Sequence, residues 1–205
     1  MSPLRLIGFS ASIYSWSVRL ALAETGQVAD WVEANPFAGP VTDHPFDRVP
    51  VLWVGETRLY ETAAILEWLF PPVADRMVAA QARQVGCIAD AYAYWPLVRQ
   101  VYAQAVFRPA MGEAADPGEV AEGLLAAEPV LAALEEIAQG GAVLQPGHAM
   151  TAADCHLAPM IGAFAAAPEG RALLNRQPAL GAWYAHVAAR PSWAETCPDP
   201  RIIAP

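Results

Sequence analysis

Not one lysine occurs in this 205-residue chain, so its twelve fixed cations are all arginines. Any anion it binds must be held by guanidinium groups, backbone N–H groups, hydroxyls or helix ends. Charge is scarce altogether: 16% of residues are ionised and the formal net charge is −9. That balance excludes the basic face a nucleic-acid binder needs. Cysteine is equally sparse. Cys87, Cys155 and Cys197 are odd in number, far apart and form no C-x-x-C, which speaks against a disulfide framework or a zinc site and for a reducing compartment. His44, His148, His156 and His186 are scattered too, so no metal is expected. Ser10, Ser12, Ser15, Ser17 and Arg19 interrupt the mildly apolar N-terminus, and no run reaches the length of a membrane span. The expectation is a cytoplasmic protein without membrane or nucleic-acid partners. What is abundant is apolar surface, at 55% of residues, enough for a substantial core.

Leu4–Phe9 is a short apolar run suited to a buried strand, and Val18–Thr25 has a helical pattern that Gly26 ends. Val28–Ala34 suits a second strand, whereas Asn35–Arg48, with three prolines and no clear period, reads as a loop. Val51–Val54 and Arg58–Tyr60 predict a hairpin, and Thr62–Phe70 a helix with Ile65, Leu66 and Leu69 facing inward. The order β-α-β-loop-β-β-α is that of a thioredoxin-like unit. Pro71-Pro72 punctuates the chain, and from Asp75 the pattern is helical. Met77–Phe107 predicts a long helix that Pro96 kinks or divides. Glu119–Ala138 predicts another, with Leu124, Leu131, Leu134 and Ile137 as its stripe. Leu157/Met160/Ile161/Phe164 and Leu180/Trp183/Tyr184/Val187 mark two more. The expected architecture is α/β plus all-α: a unit over 1–72 followed by a helical bundle over 75–205.

Three segments bear on function. Ser12-Ile13-Tyr14-Ser15 occupies the turn where thioredoxin-like folds carry a dithiol pair; with serine at both ends, dithiol chemistry is excluded. A hydroxyl at a helix N-terminus remains, suited either to capping or to stabilising an anion. Val49-Pro50 opens a strand, and an X-Pro bond is the one place where a cis peptide is routine. Glu61 and Thr62 then open a helix whose free N–H groups favour a bound carboxylate. Thr151-x-x-Asp154, ahead of an apolar stripe, predicts a capping box with aspartate in place of glutamate.

Together these segments resemble the cytosolic glutathione S-transferases. Ser12–Leu22 looks like the first helix of serine-type bacterial members, and Ser15-Trp16 followed by Val18-Arg19 is similar to the zeta class. Ser12-Ile13-Tyr14 departs from that class's Ser-Ser-Cys. Thr151–Pro159 resembles the helix start of the family's second domain. The resemblance implies a glutathione S-transferase fold, glutathione as co-substrate, a small electrophilic and apolar partner substrate, a detoxifying transferase activity and a homodimer. Zeta-like cis–trans isomerisation and a non-catalytic binding module are the alternatives. By resemblance Ser12 stabilises the glutathione thiolate, Val49 beside cis-Pro50 pairs with the cysteinyl backbone, Thr62 holds the γ-glutamyl carboxylate and Glu61 its amino group. The short Asn35–Arg48 segment leaves His44 and Arg48 for the glycine carboxylate. The electrophile is expected between the domains, where Tyr92, Tyr94, Trp95, Tyr102 and Phe107 crowd one helix.

Overall fold

The computed structural model describes residues 3–198; the outer ends of both expected units lie outside them. A four-stranded sheet has the order β2-β1-β3-β4, with β1 Leu4–Gly8, β2 Ala29–Glu33, β3 Val51–Val54 and β4 Thr57–Tyr60. β1 runs parallel to β2 and antiparallel to β3, so Leu6 stands opposite both Trp31 and Leu52. The β3–β4 hairpin turns at Gly55-Glu56, and Gly55 takes the positive φ of 60° that a tight turn asks for. Helices α1 (Ile13–Glu24) and α2 (Thr62–Leu69) supply the apolar layer, with Trp16, Leu20, Ile65 and Leu66 fully buried. This is the expected thioredoxin-like arrangement.

The rest is helical. Asp75 caps α3 (Arg76–Ile88) by accepting from the N–H groups of Met77 and Val78. Of the two outcomes expected at Pro96, a kink or a division, the division does not occur. Instead the winding widens from Ala89 to a π segment, Ala89–Phe107, closed by an α turn at Arg108–Ala110. Pro96 has no N–H to donate, and its ring collides with the carbonyl of a normal α turn; wider winding is the usual way a helix absorbs an irregularity without ending. Four further helices, α4 (Pro117–Gln139), α6 (Pro168–Leu174), α7 (Pro178–Ala188) and α8 (Pro191–Thr196), start on a proline, whose missing N–H is no loss in the first turn. α6 and α8 are absent from the sequence reading because each is too short to show a period.

α5 (Ala152–Ala166) is the axle of the molecule. Ala153 to Ala165 are all buried, and α5 touches α1, α2, α3 and the π segment. One core therefore runs through both units without a break. The capping box at its start is formed as expected: Asp154 Oδ2 accepts from Thr151 N–H at 2.8 Å, and Asp154 N–H donates to Thr151 Oγ1 at 3.4 Å. Its other oxygen accepts from Trp183 Nε1 at 2.7 Å, tying α5 to α7. Glu135 of α4, also buried, accepts from the Ala179 and Leu180 N–H groups at 3.1 and 2.8 Å, capping α7 from a neighbouring helix. The C-terminal end is clamped onto α1: Trp16 packs on Trp193 with ring centroids 4.3 Å apart, and Arg190 grips Glu24 with two hydrogen bonds of 2.6 and 2.7 Å.

Candidate active site

A cavity of about 580 Å³ opens between the edge of the sheet and the π segment. Ser12, His44, Arg48, Val49, Pro50, Glu61 and Thr62 all line it. Ser12 arrives as the N-cap of α1, with extended backbone and its Oγ accepting from Ser15 N–H at 3.2 Å. That hydroxyl keeps its own proton for a second partner, at the positive end of a twelve-residue helix. The neighbouring serines do not share this position. Ser15 is buried with its Oγ accepting from Phe9 N–H, and Ser10 donates to Glu33. Tyr14, Thr62, Tyr94 and Tyr102 bring further hydroxyls to the cavity wall.

The Val49-Pro50 peptide bond is cis. Glu61 is the N-cap of α2 but makes no side-chain cap bond, and its φ of 70° lies in the left-handed region although it is not glycine. Thr62 follows as the first helical residue, largely buried, with its flank on the cavity. A backbone held in so unfavourable a well costs on the order of 1–3 kcal/mol and is characteristic of functional sites. His44 is buried; its Nδ1 accepts from Phe46 N–H at 3.1 Å, which leaves Nε2 facing Glu61 Oε1 at 3.9 Å. Burial pushes the imidazole below its usual range against the pull of Glu61, so His44 serves as a neutral Nε2–H donor.

On the opposite wall the π segment presents Asp90, Tyr94, Val98, Arg99, Ala103 and Phe107. They recur every four or five residues, the spacing that aligns one face of a wide helix. Tyr102 joins them. Tyr92 and Trp95 point elsewhere and are 65% and 61% exposed, so of the five aromatics on this helix three, Tyr94, Tyr102 and Phe107, reach the cavity. The sequence reading missed a polar cluster. His156 Nε2 lies 2.9 Å from Asp90 Oδ1, and the Tyr14 phenol lies close enough to Asp90 to feel its charge. Burial first, then Asp90, raises the Tyr14 phenol well above its usual range and keeps it neutral. The available signal was Asp90 and Tyr94, four apart, in an otherwise apolar stretch.

A sheet unit of thioredoxin topology, a helical partner and a small-molecule cleft between them define the class as the glutathione S-transferase fold. Residues 6–74 match the family described as glutathione S-transferase, N-terminal domain. A glutathione S-transferase of Hyoscyamus muticus is 25% identical over 163 residues, 76% of either chain. Glutathione S-transferase F6 of Arabidopsis thaliana is 23% identical over 94% of this chain and 98% of its own. Among solved structures, glutathione S-transferase-I bound with lactoylglutathione superposes with a TM-score of 0.80 at 22% identity, covering 96% of this chain and 99% of its own. Its likeness carries the fold.

Proposed function

We propose that this protein is a glutathione transferase of the serine type, joining the glutathione thiolate to a small electrophile. The observation that carries this reading is the convergence of Ser12, Val49, Glu61 and Thr62 on one cavity that a tripeptide can enter. The resemblance named these residues before any cavity was in view, and they lie up to fifty positions apart in the chain. The relatives reported above are glutathione S-transferases by name, one of them bound to a glutathione derivative.

A free thiol has a pKa near about 8.5, so little of it is thiolate at neutral pH. Ser12 cannot remove that proton, because an alcohol is a weaker acid than a thiol. It donates a hydrogen bond to the sulfur, and the α1 dipole adds to it. Each unit of depression is about 1.4 kcal/mol of preference for the thiolate, within reach of one hydrogen bond to a charged group. Thr62 and the free N–H groups of the first α2 turn take the γ-glutamyl carboxylate, Glu61 the amino group, and the Val49 backbone the cysteinyl peptide. Arg48 and the Nε2–H of His44 are the donors for the glycine carboxylate. The aromatic wall of the π segment receives the electrophile. The zeta-like reading gains nothing from Ser15, whose hydroxyl is turned inward. A cytoplasmic homodimer engaged in detoxification is the assembly and setting that go with this activity; among the described residues no helix is long and apolar enough to cross a membrane.

Retention on immobilised glutathione with elution by the free tripeptide, followed by turnover of a chloronitrobenzene, tests the reading. Retention with turnover supports it. Retention without turnover leaves a binding module, and no retention removes the glutathione site.

A further inference from the structure

The cluster of Tyr14, Asp90 and His156 belongs to neither the thiolate site nor the glutathione anchors. Asp90 lies on the cavity face of the π segment with its side chain 46% exposed, whereas His156 behind it is 3% exposed. A carboxylate offers about four acceptor positions. The His156 Nε2–H takes one of them, so acceptor capacity is left over. Tyr14 itself packs on Tyr94 with ring centroids 4.8 Å apart and edge-on to His156 at 6.2 Å. The carboxylate is thus tied to α5 through His156, on a segment that lines the space where the electrophile is expected.

We propose that Asp90 is a specificity-determining residue of the second-substrate pocket, selecting electrophiles that carry an ammonium or other strong N–H donor, with Tyr14 and His156 as its positioning residues. This rests on the transferase reading for the identity of that pocket. Three features agree. The carboxylate is preorganised, so little rotamer entropy is lost when a donor docks. Tyr94, Tyr102 and Phe107 present ring faces and edges nearby, which favour a cation within reach of an aromatic wall. The net charge of −9 attracts cations to the molecule. The other charged groups on the cavity are Arg48 and Glu61, from the glutathione side, and Arg99, two π turns along the segment. Arg99, like Asp90, is exposed and screened by solvent, but Asp90 is fixed by a buried partner, His156.

The test uses two chloronitrobenzenes that differ in one ring substituent, aminomethyl against carboxyl. In both the thiolate sulfur bonds to the ring carbon and chloride leaves with its electron pair. The wild-type protein is expected to favour the aminomethyl compound in kcat/KM by about tenfold or more, the size of one hydrogen bond to a charged group. Asp90→Asn should abolish that preference, Asp90→Glu should retain its direction, and Tyr14→Phe should weaken it, all with the KM for glutathione held within a few-fold. A purely structural role would leave the ratio untouched. Calorimetric binding of benzylammonium against benzoate reads the same preference without turnover. If benzylammonium binds, loses affinity in Asp90→Asn, and no electrophile is turned over, the inference stands and the transferase reading falls. A wild-type preference for the carboxyl compound, or a ratio unchanged in Asp90→Asn, overturns the inference.

Discussion

Replacing Asp154 by alanine probes how the helical unit is held together. The carboxylate accepts three close donors: Thr151 N–H at 2.8 Å, Thr151 Oγ1 at 2.6 Å and Trp183 Nε1 at 2.7 Å. Loss of a cap alone costs about 0.5–2 kcal/mol. Here the substitution also strands the indole N–H of Trp183, a residue only 1% exposed, and a buried donor left without a partner costs about 1–3 kcal/mol. Part of this is returned, because burial disfavours the carboxylate and pushes its pKa upward despite those donors. The expected net loss is about 2–4 kcal/mol, which for a chain of this length lowers Tm by about 5–15 °C. Scanning calorimetry at neutral pH reads the shift, and urea unfolding with an unchanged m-value confirms it as a stability change. Glutathione affinity at permissive temperature should stay as in the wild type, because Asp154 does not line the cavity. A Tm within a degree of wild type, or affinity lost while Tm is kept, refutes the structural role.

Thr62→Ala should weaken glutathione by about 1–3 kcal/mol, the value of a hydrogen bond to a charged group, whereas Thr62→Ser should be near neutral in the same titration calorimetry. Gly123→Ala should destabilise by about 1–3 kcal/mol by overpacking, since an added Cβ would stand 2.6 Å from Gln100 Cβ and 3.1 Å from the Pro96 carbonyl oxygen; thermal unfolding measures it. Acid should unfold the protein partly through Glu24 and Glu135, both depressed in the fold. Burial raises each, but the Arg190 and Ser192 bonds to Glu24, and the Leu180 and Ala179 N–H bonds to Glu135, outweigh it. Their folded forms bind fewer protons than the unfolded chain, so this stability is present above the ordinary glutamate range and is lost as pH falls through the depressed pKa values. Arg190→Gln should flatten the acid limb of a Tm-against-pH curve.

Period and punctuation carried much of this structure. An apolar run behind Pro50 and turn residues marked β3 and β4, and Thr151-x-x-Asp154 marked a capping box that formed atom for atom. The π segment was not legible, because its apolar and aromatic residues were read against a 3.6-residue period and only a four-to-five spacing sorts Tyr94, Tyr102 and Phe107 from Tyr92 and Trp95. Asp90 and His156, sixty-six positions apart, meet only because α5 packs against the π segment. Glu135 reads as an exposed helix acid until α7 is laid over it. Ser12, Val49, Glu61 and Thr62 stand out only by resemblance to a family's pattern of motifs; propensity alone reads each as a cap or a strand end. What local sequence cannot supply is the long-range pairing, since that is decided by which faces the tertiary core brings together.

The central claim is that Ser12 stabilises a thiolate in this cavity, and ultraviolet titration of protein-bound glutathione tests it directly. In the wild type the thiolate absorbance should appear with an apparent pKa below the free value of about 8.5. In Ser12→Ala that pKa should return toward the free value, turnover should fall by about 10- to 1000-fold, and glutathione affinity should stay within a few-fold. A bound thiol that titrates like free glutathione in the wild type, or a Ser12→Ala variant with unchanged thiolate pKa and turnover, contradicts the account.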